Sequence, residues 1–121
     1  MSLKVLVVDD ASFMRTMLND ILTAEGFEIV GEAENGVDAV ELYKKLKPDI
    51  TTMDIVMPLK SGIDAVKEII AMDKDAKIVM CSALGQESLV TEALNAGAKD
   101  YIIKPFDALD VSTMVKKIAG V

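Results

Sequence analysis

Histidine and tryptophan are absent from this 121-residue chain, and cysteine occurs once, as Cys81. The single cysteine excludes an intramolecular disulfide. Without histidine or a cysteine pair, no zinc site of the usual composition can form. The lack of histidine also removes Ser-His and Cys-His nucleophile pairs. Basic residues are few, 13 against 20 acidic ones, giving a net charge of −7. A surface this acidic is unsuited to nucleic acid or anionic lipid, both of which recruit positive charge. Long hydrophobic runs are missing too. Val5-Leu6-Val7-Val8 stops at two aspartates, too short for a signal-peptide core or a membrane span. The expected location is therefore cytoplasmic.

What is present is a globular composition, 51% hydrophobic and 27% charged, at a length suited to one domain. The eight methionines read as adaptable core filling. The apolar pattern alternates between two periods. Leu3 to Val8 is a short β-branched run. Phe13, Met14, Met17, Leu18, Ile21 and Leu22 recur at helical spacing until Gly26. Phe27 to Ala33 alternates, with Glu28 and Glu32 expected on one face and Phe27, Ile29 and Ala33 on the other. Asn35-Gly36 opens a second helix through Val37, Val40, Tyr43 and Leu46.

Asp49 to Asp54 is a third strand, and a loop with Met57-Pro58 and Gly62 leads to a helix on Ile63, Val66, Ile69 and Ile70. Lys77 to Cys81 is a fourth strand, followed by a helix on Leu89, Val90, Ala93 and Leu94 that Gly97 ends. Tyr101 to Ile103 is a fifth, cut off by Pro105, before a last helix on Leu109, Val111, Met114, Val115 and Ile118. Five βα units in succession predict an α/β fold, a doubly wound (βα)5 domain with a parallel five-stranded sheet and helices on both faces. Strands one, three and four read as apolar runs buried on both faces, and strand two as an edge. This agrees with order 2-1-3-4-5, a known flavodoxin-like arrangement rather than one these residues dictate alone.

In such sheets ligands bind beyond the carboxyl ends of the strands. Strand one ends in Asp9-Asp10, strand three in Asp54, strand four in Ser82 and strand five in Lys104. Each has an ordinary explanation: Asp9-Asp10 as helix caps, Asp54 and Ser82 as loop starts, Lys104 as a solvated strand end. Together, three carboxylates, a hydroxyl and an ammonium at four adjacent strand tips are harder to explain that way. Two carboxylates about 4 Å apart repel by roughly 4 kcal/mol at an effective dielectric of 20. Three call for a cation, and Mg²⁺ suits oxygen ligands combined with a phosphate. Lys104 and Ser82 suit phosphoryl oxygens, and a carboxylate such as Asp54 can be the nucleophile that forms an aspartyl phosphate.

The set Asp9-Asp10, Asp54 with Met57-Pro58 and Gly62, Ser82-Ala83, and Lys104-Pro105-Phe106 resembles the response-regulator receiver family, from about Val5 to the last helix. Asp9 to Arg15 and Cys81 to Gln86 are similar to its single-domain chemotaxis members. The resemblance implies that residues 1–121 form one receiver domain with no output domain. It implies phosphorylation of Asp54 by a histidine kinase, CheA-like, in an Mg²⁺-dependent reaction. Asp10, Asp54 and the backbone carbonyl of Val56 would ligate the metal directly, and Asp9 through water. Lys104 and Ser82 would hold the phosphoryl oxygens. Tyr101 would be the switch aromatic, and Lys104-Pro105 would be cis. A monomer is expected, with a downstream protein reading the fourth helix, fifth strand and fifth helix through Val90, Leu94 and Tyr101.

Such a protein is a phosphoacceptor rather than a turnover enzyme, with at most slow self-phosphorylation from small donors and self-dephosphorylation. Many members carry polar residues two positions after the phosphoacceptor and two after the hydroxyl residue. Here these are Val56 and Leu84, which predicts slow loss of the phosphoryl group. Three alternatives use the same pattern. A phosphorelay intermediate would pass the group to another histidine. An aspartate-nucleophile phosphohydrolase generally needs an acid where Val56 stands. A flavin-binding domain would need a first loop without acids, because Asp9-Asp10 repel phosphate.

Overall fold

The computed structural model describes residues 2–121. Five strands and five helices alternate along the chain: β1 (Lys4–Val8), α1 (Ser12–Ala24), β2 (Glu28–Ala33), α2 (Gly36–Leu46), β3 (Ile50–Asp54), α3 (Gly62–Met72), β4 (Ile78–Ser82), α4 (Glu87–Ala96), β5 (Asp100–Ile103) and α5 (Ala108–Ala119). All strand pairs are parallel, in the order β2-β1-β3-β4-β5. This is the expected architecture.

The core divides at the sheet. On one face Leu6, Val8, Met53, Ile78 and Met80 pack with α2, α3 and α4. On the other, Val5, Val7, Ile50 and Cys81 pack with Leu18 and Leu22 of α1 and Val111 and Val115 of α5. Burial on both faces matches the apolar β1 and β4, whereas β3 departs from the expected apolar run by burying Thr51 and Thr52 ahead of Asp54. Three helices begin on side-chain caps: Asn35 accepts from Asp38 N, Ser61 from Asp64 N and Asp107 from Asp110 N. Among the described residues, no helix is long and apolar enough to cross a membrane.

The alternation expected in β2 does not survive intact. Val5 pairs with Ile29 but Leu6 pairs with Gly31, so Val30 is an extra residue in the ladder. A bulge of one residue exchanges the two faces beyond it. Ile29 accordingly packs with the α1–α5 core, whereas Ala33 packs with the α2–α4 core. Glu28 and Glu32 thus stand on opposite faces, and Glu32 comes within reach of α1.

Candidate functional site

β1 and β3 are neighbours, so their carboxyl ends bring Asp9, Asp10 and Asp54 together. One oxygen from each lies within 4.8 Å of the others. Asp9 and Asp54 are buried and Asp10 is exposed. The capping explanation for Asp9-Asp10 fails, because Ala11 occupies the N-cap of α1 without any side-chain cap. The Asp9 carboxylate turns back instead. Its Oδ1 accepts from Ala11 N at 2.9 Å and its Oδ2 from Lys104 Nζ at 2.8 Å. Lys104 also approaches Asp54 Oδ1 at 3.3 Å, and Asp54 Oδ1 accepts from Ile55 N at 2.9 Å.

The ordinary explanation of Lys104 as a solvated strand end fails as well. Its side chain is 19% exposed, and the Asp9 side chain it binds is 1% exposed. The Lys104–Pro105 bond is cis, as expected, and Lys104 N donates to Ser82 O at 2.7 Å. Ser82 itself is buried at the end of β4.

The charges shift the ionisation of their neighbours. Burial, then the nearby Asp9 charge, raises the pKa of Asp54 from 3.8 to about 6, against the lowering influence of Lys104. Burial pushes Lys104 down, but its hydrogen bond to Asp9 and the charges of Asp54 and Asp9 outweigh that and leave it raised. Burial takes the Cys81 thiol up to about 12, so it is inert at neutral pH. An Asp that resists ionisation beside two other carboxylates is a site short of positive charge. That is the chemistry of a divalent-cation site with oxygen donors, and Mg²⁺ fits it.

The loop after Asp54 is shaped by backbone crowding. Gly62 N donates to Ile55 O at 2.7 Å. A Cβ on Gly62 would sit 1.9 Å from the Asp54 carbonyl oxygen, so only glycine permits this approach. Val56 and Leu84 have exposed side chains, at 57% and 76%.

Leu94 and Tyr101 are partly exposed and line one surface hollow with Ser82, Leu84 and Val90. Val90 is the exception among the expected partner contacts. It is buried in the α2–α4 core, where it is spent on packing. The exposed candidates on this face are Leu94 and Tyr101.

The sequence reading placed Arg15 at the end of the stretch Asp9 to Arg15 but gave it no role. Arg15 of α1 reaches the Asp9 carbonyl at 2.7 Å and Glu32 of β2 at 2.9 Å. Its position on the first turns of the helix after Asp9-Asp10 is the only signal the sequence offers.

Comparisons with known proteins agree with this geometry. Residues 5–116 match the family described as response regulator receiver domain. Over 119 residues the chain is 57% identical to the chemotaxis protein CheY of Thermotoga maritima, covering 98% of this chain and 99% of that one. It is 56% identical over 117 residues to CheY of Bacillus subtilis, covering 97% and 98%. A crystal structure of the CheX-CheY-BeF3-Mg complex from Borrelia burgdorferi superposes with a TM-score of 0.92 at 42% identity. It covers 96% of this chain and 88% of that one.

Proposed function

The chain belongs to the response regulator receiver domain family, and on that premise we propose that it is a stand-alone phosphoacceptor switch in chemotaxis control, phosphorylated on Asp54. The observation that carries this reading is the convergence of Asp9, Asp10 and Asp54 within 4.8 Å, with Lys104 bound between Asp9 and Asp54.

Asp54 ends a central strand and is held by Ile55 N and Lys104. With a pKa near 6 it is ionised at neutral pH, yet more basic than an ordinary aspartate. Its carboxylate attacks the phosphorus of a phosphohistidine on a histidine kinase, CheA-like. An O–P bond forms, the P–N bond breaks, and the electron pair stays on the donor imidazole. Lys104 neutralises a phosphoryl oxygen and the Ser82 hydroxyl donates to another. Asp9, Asp10, Asp54 and the Val56 carbonyl would hold Mg²⁺, which supplies charge neutralisation to the transferring group. Binding is the output. Ser82 and Tyr101 line the same hollow, so engagement of the Ser82 hydroxyl can be felt by the aromatic ring. A downstream protein then reads Leu94, Tyr101 and α5.

The test is incubation with Mg²⁺ and acetyl phosphate followed by intact-mass measurement. One phosphoryl group should be gained, only with Mg²⁺ present, and none by Asp54→Asn. Equal labelling of that variant would overturn the assignment.

A further inference from the structure

We propose that Arg15 is a positioning residue that braces the Asp9-Asp10 turn for a divalent cation. The inference rests on the functional reading above and adds a residue to it. Arg15 Nη1 donates to the Asp9 carbonyl at 2.7 Å, and Nε donates to Glu32 Oε1 at 2.9 Å. Asn19, one turn further along α1, donates to Glu32 Oε2 at 3.0 Å. The guanidinium fork thus ties three elements, α1, β1 and β2, at the point where the acidic turn leaves the sheet. Its side chain is mostly buried and has little freedom to move elsewhere.

The Asp9 carbonyl belongs to the same rigid peptide group as the Asp10 N–H. Holding that oxygen fixes the plane from which the Asp10 side chain springs. Asp9 itself is fixed at four atoms: N to Ala33 O, O to Arg15, Oδ1 to Ala11 N and Oδ2 to Lys104. Asp10 is exposed and depends on this anchorage for its aim at the cluster. The β2 bulge is part of the device, since it turns Glu32 toward α1.

Charge alone argues the other way. A guanidinium near three carboxylates competes with an incoming cation, so its removal would tighten binding if its field were what mattered. Glu32 offsets that field, which leaves the hydrogen-bond geometry as the larger effect. The two effects have opposite signs and can be separated.

The experiment is calorimetric titration of Mg²⁺ into wild type, Arg15→Gln and Arg15→Lys, with melting curves of each in EDTA. Arg15→Lys keeps the charge but cannot span carbonyl and carboxylate at once. The brace requires both variants to bind Mg²⁺ more weakly, by about tenfold, the scale for groups that orient metal ligands. Tighter binding by Arg15→Gln with unchanged binding by Arg15→Lys would show that only charge matters and overturn the proposal. A lower melting temperature with unchanged Mg²⁺ affinity would show a purely structural role and overturn it as well. If wild type binds no Mg²⁺, the functional reading falls and the brace with it. If wild type binds and both variants match it, the brace alone falls.

Discussion

Lys104 at the end of β5 binds Asp9 at the end of β1, at 2.8 Å, although β3 and β4 lie between their strands. The long side chain crosses the tops of both strands and passes Asp54 at 3.3 Å on the way. One ammonium therefore partly neutralises two buried carboxylates when no metal is present.

Removing it should cost folding as well as signalling. In Lys104→Met the Asp9 carboxylate keeps its burial and loses its ion pair. A buried polar group left without its partner costs about 1–3 kcal/mol. Urea unfolding in EDTA should show a loss of that size. Mg²⁺ should recover more stability in the mutant than in wild type, because it meets the same uncompensated charge. Equal denaturation midpoints in EDTA would mean that the ion pair contributes nothing net.

The pH dependence of the metal-free protein follows from Asp54. In the unfolded chain it ionises near its ordinary value of 3.8, and in the folded chain near 6. Between those values the folded state holds a proton that the unfolded state has released. Its contribution to stability therefore falls as pH rises through that window and stays low above it. Asp54→Asn cannot titrate and should lack this contribution, becoming more stable than wild type relative to their difference at pH 4. Denaturation midpoints of both proteins in EDTA across pH 4–7 measure it. A difference that does not change with pH would refute the raised pKa.

Gly62 is expected to be irreplaceable, for a steric reason. Any Cβ there falls 1.9 Å from the Asp54 carbonyl oxygen, and that oxygen belongs to rigid β3 backbone. Gly62→Ala should destabilise by about 3 kcal/mol, and the backbone shift should displace Asp54 itself. Gly85→Ala is the control: it meets no atom within 4 Å and bears only the strain of its φ of +90°. Chemical denaturation of the pair measures the contrast, and similar losses at both positions would show that the loop relaxes freely.

The fold was legible because burial on both sheet faces keeps β1 and β4 apolar up to tips that carry a charge or hydroxyl, and because β3, despite the buried Thr51 and Thr52, ends in the same way at Asp54. Asp9, Asp10, Asp54, Ser82 and Lys104 stood out on those grounds. What stayed hidden depended on relations between elements. The Val30 bulge is invisible in a run that alternates acceptably, yet it sends Ile29 and Ala33 to different cores. Val90 and Leu94 are four residues apart on α4, near the same helix face, and only packing decides that Val90 is the buried one. Arg15 looks like a solvent-facing helix arginine until β2 supplies Glu32 and β1 its carbonyl.

The phosphoryl group proposed for Asp54 should be lost slowly. An aspartyl phosphate is lost when water attacks phosphorus in line with the leaving carboxylate. That water must be held in place by hydrogen-bonding groups near the site. Val56 follows Asp54 by two residues and Leu84 follows Ser82 by two. Both side chains are exposed and neither has a polar atom to orient water. Their exposure also makes them clean to substitute, because little packing is lost. Val56→Asn combined with Leu84→Glu should leave the melting temperature nearly unchanged and speed dephosphorylation. Each tenfold gain would correspond to about 1.4 kcal/mol off the barrier. The rate is read from the decay of phosphoprotein after acetyl phosphate is removed, with Mg²⁺ held constant. A double mutant that decays at the wild-type rate would show that positioning of water by these two side chains does not limit the reaction.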